Sequence, residues 1–461
     1  MITFLIKAAQ LIVSLSILIM IHEFGHFLFA KLSKTRVERF YLFFNPGFSL
    51  MRIKKVKGKT EFDFFSKNPP AHWAEEPDTT MFGLGWLPLG GYCSIAGMID
   101  ETQSSEDLAA EPQPWEFRTK PAWQRLLIMA GGVLFNFILA LLLYSMVLNV
   151  WGKTYLPTQK LPMGMEFSQP AKDVGFCDGD VLLAADGLEI EQFNDMYFRA
   201  IVEAEKVTVL RDGQVDTVYI PDDFMQRLLA AKEGFAAYRC PTVVREVLED
   251  TPGALAGLKS GDSIVAVQGI PTPTFSEFVE TLSAYPDSLV HLSLFRGAQA
   301  MTLQVKLDST AKIGFYTKSL AEIYPVAQID YSFWESIPEG IKLAWSKLGG
   351  YAGDMKYVFT KEGVQSLGGF GAIGGMFPAQ WNWRVFWETT AFLSIILAFM
   401  NILPIPGLDG GHILFLLVEV VTRRKPSDKF LERAQTVGLI ILMALLILAN
   451  GNDILRWIGI L

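Results

Sequence analysis

The sequence predicts a polytopic α-helical membrane protein of about four transmembrane helices, with a strand-rich segment between the first two and a globular α+β insert between the second and third. Three observations predict it. Apolar residues make up 51% of the 461 residues with a positive mean hydropathy, which points away from a purely soluble enzyme. They gather in four blocks, roughly 2 to 30, 123 to 150, 385 to 421 and 436 to 449, each near or above the ~20 residues that a spanning helix needs. Between the second and third blocks the chain reads as soluble, and one pattern occurs there twice: GFCDGDVLLAADG (175 to 187) and AGLKSGDSIVAVQG (256 to 269) share a Gly, an apolar residue, Gly-Asp, an apolar strand and a Gly turn. Such a repeat implies two copies of one small module.

The first block, residues 1–31, lacks a basic leader and a small-residue cleavage site and carries His22, Glu23 and His26, so it reads as a retained helix. Residues 32–120 read as short strands and turns. VERFYLFF (37 to 44) and FSLMRI (48 to 53) carry β-branched and aromatic residues around an Asn45-Pro46-Gly47 turn, GWLPLGGYCSIAG (85 to 97) is a second such unit, 67 to 80 reads as a loop and 100 to 114 as an acidic connector. The basic residues Lys31, Lys34, Arg36, Arg39, Arg52, Lys54, Lys55, Lys57 and Lys59 mark this stretch as cytoplasmic, and Arg423, Arg424, Lys425, Lys429 and Arg433 mark a second cytoplasmic loop. The insert then faces the other side. After residues 121–151, the second span, the two modules are expected at 155–222 and 223–310, each ending in strands closed by a tight turn, RDGQ (211 to 214) and FRGAQ (295 to 299). A helical segment at 311–383 places Trp334, Ile337, Ile341, Trp345 and Leu348 at helical spacing, a packing face or, alternatively, a face lying on the membrane surface. The third span takes 384–422, the basic loop 423–435 and the fourth span 436–461. Cys93, Cys177 and Cys240 form no disulfide framework, and a net charge of −8 argues against nucleic acid as a partner.

HEFGH (22 to 26) is the sharpest chemical signal. On a helix His22 and His26 lie one turn apart and face the same way, so both imidazoles can reach one Zn2+ ion, with Glu23 beside it to take a proton from water. Ionisable groups in an apolar segment are costly unless paired or metal-bound. A catalytic zinc needs a third protein ligand and keeps one position open. NILPIPGLDGGH (401 to 412) in the third span is the place to look, because Pro404 and Pro406 force the backbone open there. Asp409 is the best candidate, with His412 its competitor; otherwise His412 is a supporting hydrogen-bond partner. His72 and His291 read as surface residues. Two other classes compete with a metallohydrolase: a non-catalytic membrane scaffold with a structural metal, which needs no base such as Glu23, and a metal transporter, which would carry ionisable residues on more helices than two.

HEFGH in a first helix and NILPIPGLDGG in a third resemble the site-2 protease family of intramembrane zinc metalloproteases, and the repeated modules resemble the PDZ domains that bacterial members carry between their second and third helices. The resemblance spans nearly the whole chain. It implies two extracytoplasmic PDZ-like domains, a bacterial inner membrane location with the modules periplasmic and the site toward the cytoplasm, and a cytoplasmic-side membrane-reentrant β region that includes PLGGY (88 to 92). It further implies that FRTKPAWQRLLIMAGGVLFNF (117 to 137) opens the second helix, and that Asn401 and Asn136 hold the substrate main chain, the alternative for each being a hydrogen bond between helices. Implied substrates are single-pass membrane proteins of the anti-sigma-factor type or remnant signal peptides; the modules would bind peptide C-termini or filter substrates by size, and lipid is a partner throughout. AGGVLFN and LGGFGAIGG (367 to 375) lack prolines usual in the family, and the long acidic, aromatic cytoplasmic loop around 60 to 80 has no obvious counterpart.

Overall fold

The computed structural model describes residues 2–88, 90–98, 111–231, 233–358, 360–425 and 427–458, so the acidic connector lies outside the described residues as far as position 110. The chain divides into two compact units, one formed by Met1–Gly152 with Asp330–Leu461 and the other by Lys153–Ile329.

Among the described residues of the first unit, four helices are long and apolar enough to cross a membrane. Helix α1 (Ile2–Leu32) carries Lys31 in its last turn, and α2 (Ala122–Trp151) starts after Pro121. These two helices approach closely. A Cβ on Gly25 would lie 2.3 Å from the Gly131 carbonyl oxygen, so only glycine permits the approach. Helix α3 (Phe333–Val358) packs on α2 through its small residues: Ser336, Gly340 and Ala344 are buried, whereas Trp334 is 77% and Trp345 57% exposed. The packing face expected along the tryptophans is therefore carried by the small-residue stripe, because backbones come closest where side chains are smallest.

The third span is broken. Helix α4 (Trp383–Ile402) is capped by the Asn382 side chain, and α5 (Asp409–Thr422) begins after an opening that holds Pro404, Pro406 and Gly407, whose φ is +91°. Helix α6 (Asp428–Trp457) starts inside the expected basic loop, because the Ser427 side chain accepts from the Phe430 amide and sets the helix start there. Polar staples join the spans. Ser394 Oγ donates to the Asn136 carbonyl oxygen at 2.7 Å, Thr390 Oγ1 lies 3.0 Å from Ser14 Oγ, and Arg125 on α2 pairs with Glu419 on α5.

Between α1 and α2 lie strands β1 (Val37–Leu42), β2 (Ser49–Val56), β3 (Lys59–Ser66), β4 (Met81–Leu84) and β5 (Tyr92–Ile95), in the order β3-β2-β4-β1-β5. The Asn45-Pro46-Gly47 turn does not close a hairpin, since β4 is interposed, parallel to β1 and antiparallel to β2. The segment from 60 to 66 is a strand rather than loop: Phe62 sits opposite Ile53, which sits opposite Phe82. Phe40 and Phe82 meet Phe27 of α1 at 5.7 and 5.8 Å between ring centres. On the other face Tyr41, Val56, Trp73 and Met81 form a small core.

The second unit holds two modules. The first buries Phe176, Leu182, Ile201 and Val207; the second buries Ile264, Leu282, Val290 and Leu292. Their boundary falls later than position 222, because Phe224, Leu228 and Phe235 belong to the first core, and the second module runs past 310 into the segment expected to be helical, because Ile313 lies in its core and strand Phe315–Thr317 pairs with Thr242–Val247. Tyr324, beyond the second module, also packs into the first core, and Ala327–Ile329 pairs antiparallel with Lys153–Tyr155.

Candidate active site

The last third of α1 carries His22 and His26 one turn apart, and the broken third span delivers Asp409 as the first residue of α5, after Leu408. The structure brings these three together. Asp409 Oδ2 lies 3.1 Å from His22 Nε2 and 3.3 Å from His26 Nε2, and the two Nε2 atoms are 3.2 Å apart. His26 is 7% exposed. Gly132 of α2 forms the wall behind the rings: a Cβ there would lie 2.5 Å from His26 Nε2 and 2.6 Å from His22 Cε1. The opening before α5 depends on glycine too, since a Cβ on Gly410 would fall 2.0 Å from the Leu403 carbonyl oxygen.

These atoms fit a zinc ion. Donors ~2.0–2.1 Å from one tetrahedral ion stand about 3.3 Å from each other, close to the three edges seen here. Asp409 Oδ2 is buried and makes no hydrogen bond among the described residues, so proximity to the two imidazoles does not satisfy it, and an orphaned carboxylate oxygen in apolar surroundings calls for a cation. Among the described residues this is the one group of three or more His, Cys, Asp or Glu side chains arranged to hold a metal. His26 Nδ1–H donates to the Ile128 carbonyl at 2.9 Å, which leaves Nε2 its lone pair. Glu23, next to His22 on α1, is half-buried.

His412 is not among the converging groups; its Nε2 lies 2.7 Å from the Gln435 amide of α6. His72 pairs with Glu61, and His291 sits between Gln268 and Gln304. Of the two asparagines, Asn136 is fully buried with its carboxamide 3.2 Å from His22 Nδ1, which is the hydrogen bond between helices weighed above as the alternative to a substrate contact. Asn401 is half-buried near the end of α4 and makes no side-chain hydrogen bond among the described residues. Sequence reasoning did not find Gly132. Its only sequence signal is its spacing of four from Asn136, which puts both on one side of α2.

Paired helical histidines with an adjoining glutamate, met by an aspartate from a broken apolar helix, are the arrangement expected of a membrane metallopeptidase. The comparisons with known proteins agree. The model of peptidase family M50 matches residues 10–67 and 69–445. The regulator of sigma-E protease RseP of Escherichia coli is 28% identical over 490 residues, covering 99% of this chain and 100% of that protein; RseP of Salmonella typhimurium is 27% identical with the same coverage. A protein of Ralstonia nicotianae provisionally named a zinc metalloprotease, RSc1411, is 26% identical over 96% of this chain and 97% of its own length. The chain belongs to peptidase family M50, as a zinc metalloprotease of the site-2 type.

Proposed function

We propose that this protein cuts single-pass membrane proteins within or just beneath the bilayer, with His22, His26 and Asp409 as zinc ligands and Glu23 as general base. The observation that carries the reading is the near-equilateral triangle of two Nε2 atoms and one Oδ2, with an acid following the first ligand on the same helix. Zinc held there polarises a carbonyl and acidifies water. Glu23 takes the proton from the attacking water and delivers it to the leaving amine. Gly132 and the flanking helices wall the site from lipid.

A helical substrate must unwind first, because its carbonyls are spent in internal hydrogen bonds. Strand β5 ends its sheet and pairs on one side, with β1, so its outer edge can take an extended segment by strand addition. Asn401, half-buried where the third span breaks, holds the substrate main chain. The two modules are PDZ-like, and in each a terminal strand, Ala236–Tyr238 or Phe315–Thr317, pairs on one side only among the described residues, an edge suited to a peptide end. The basic residues of 31–59 and 423–433 support loops on the cytoplasmic side, and with them a reading in which the modules are periplasmic and the metal site lies toward the cytoplasmic side of a bacterial inner membrane. Substrates are of the anti-sigma-factor type, trimmed beforehand by another protease, or remnant signal peptides.

Co-expression of the chain or its Glu23→Gln form with tagged substrates tests the reading. Cleavage is expected to fall by ~10²–10⁴-fold in the variant, with zinc content unchanged. Equal processing by both would remove Glu23 from the chemistry.

A further inference from the structure

Each imidazole of the cluster has one nitrogen turned toward Asp409 and one turned toward α2, and the α2 partners differ in kind. For His26 the partner is the Ile128 backbone carbonyl, 2.9 Å from Nδ1. A carbonyl only accepts, so His26 carries its proton on Nδ1. For His22 the partner is the Asn136 carboxamide, 3.2 Å from Nδ1, and a carboxamide can either donate or accept.

Which it does follows from the opposite side of the ring. If both Nε2 atoms offer lone pairs to one metal, His22 must also carry its proton on Nδ1. An amide that presents its NH2 there sets donor against donor. That orientation also leaves Asn136 Oδ1 buried without a hydrogen bond, as it stands among the described residues. A half-turn about the Cβ–Cγ bond exchanges the two amide atoms, brings Oδ1 against Nδ1–H and gives the oxygen its partner, while the side chain keeps its outline. Asn136 is 0% exposed, and its backbone carbonyl is held by Ser394 Oγ at 2.7 Å, so the residue is fixed and water does not compete for the contact.

We infer that Asn136 is a positioning residue whose Oδ1 accepts the His22 Nδ1 proton, fixing the tautomer and ring plane that present Nε2 to zinc. This departs from the substrate contact that family resemblance implies for Asn136, and it rests on the assignment of His22, His26 and Asp409 as ligands. Of the two protons that orient the imidazoles, His22's is the one a side-chain substitution can reach.

The test is zinc retention by the purified full chain in detergent against a graded chelator, with no substrate present. Asn136→Leu keeps the volume and removes the acceptor; its zinc affinity is expected to fall ~10–100-fold. Asn136→Asp keeps an oxygen facing Nδ1 and has no NH2; its affinity is expected to stay within a few-fold of wild type. Wild-type affinity in Asn136→Leu would overturn the inference, and so would equal loss in both variants. Should the leucine form fail to insert, Asn136→Ala carries the same comparison. His22→Ala in the same assay separates the two readings: undiminished zinc there would strike the ligand assignment, whereas lost zinc there beside a normal Asn136→Leu would strike only the role of Asn136.

Discussion

Buried charge takes two forms in this chain. In the insert, Asp180 and Asp262 are at most 1% exposed, and each meets an arginine through two hydrogen bonds, Arg211 at 2.8 and 2.7 Å and Arg296 at 2.7 and 2.7 Å. Each also accepts a backbone amide at 2.9 Å, from Cys177 and Lys259, and each arginine goes on to a glycine carbonyl, Gly175 or Gly257. Both oxygens of each carboxylate are thus hydrogen-bonded. In the membrane unit the Asp409 side chain is 17% exposed, yet its Oδ2 is buried and has no hydrogen bond among the described residues. Saturated carboxylates hold turns together, whereas one left open among lone-pair donors has the chemistry that suits it to a cation. What separates the cases chemically is whether the buried carboxylate oxygen has its hydrogen bonds.

The largest effect expected from this contrast is at Asp409. Asp409→Ala should bring cleavage to background and remove bound zinc, while the metal-free variant melts within a few degrees of the metal-free wild type in a thermal scan, because no hydrogen bond to Oδ2 is lost. A steep drop in the metal-free melting point would give Asp409 the same structural part as Asp262. Asp262→Ala should do the reverse, leaving zinc untouched and unfolding the second module more easily. The loss is about 2–3 kcal/mol, below the ~3–5 of a fully buried pair, because Arg296 is 30% exposed and can turn to water. Denaturant unfolding of residues 153–329 followed by circular dichroism reads it.

The smallest effect is in pH. Burial pushes the Asp262 carboxyl up, but the Arg296 hydrogen bonds, the Lys259 amide and the arginine charge outweigh it and hold the group below its ordinary 3.8. A carboxyl depressed in the folded state adds stability that is fully present above the unfolded value and is lost as pH falls through the folded one. The second module should therefore hold steady near neutrality and weaken below the usual carboxylate range. Asp262→Asn should flatten that acid limb; an unchanged acid limb would assign it to other groups.

The spans were legible because apolar length is a one-dimensional signal, and HEFGH because both imidazoles come from one helical turn. Asp409 could be named from the opened backbone at Pro404 and Pro406. Strand β3 was hidden by its composition: Glu61 and Asp63 read as loop, although alternation with Phe62 and Phe64 is a strand pattern with one apolar face. The Asp–Arg pairs were missed for another reason. The repeat exposed Gly-Asp and RDGQ or FRGAQ as recurring pieces, but only folding brings Asp180 to Arg211 and Asp262 to Arg296. The contact between Gly132 and the imidazoles is equally illegible, since it depends on how closely two helices cross.

The insert begins and ends in neighbouring strands of one ribbon, Lys153–Tyr155 against Ala327–Ile329. Paired strands stand about 4.8 Å apart, so the polypeptide departs from the insert beside the point where it arrives. A few linking residues would rejoin the chain if the intervening stretch were excised. The two modules thus form a cassette that can be swapped, duplicated or dropped in evolution or in the laboratory without rerouting the helices before and after it.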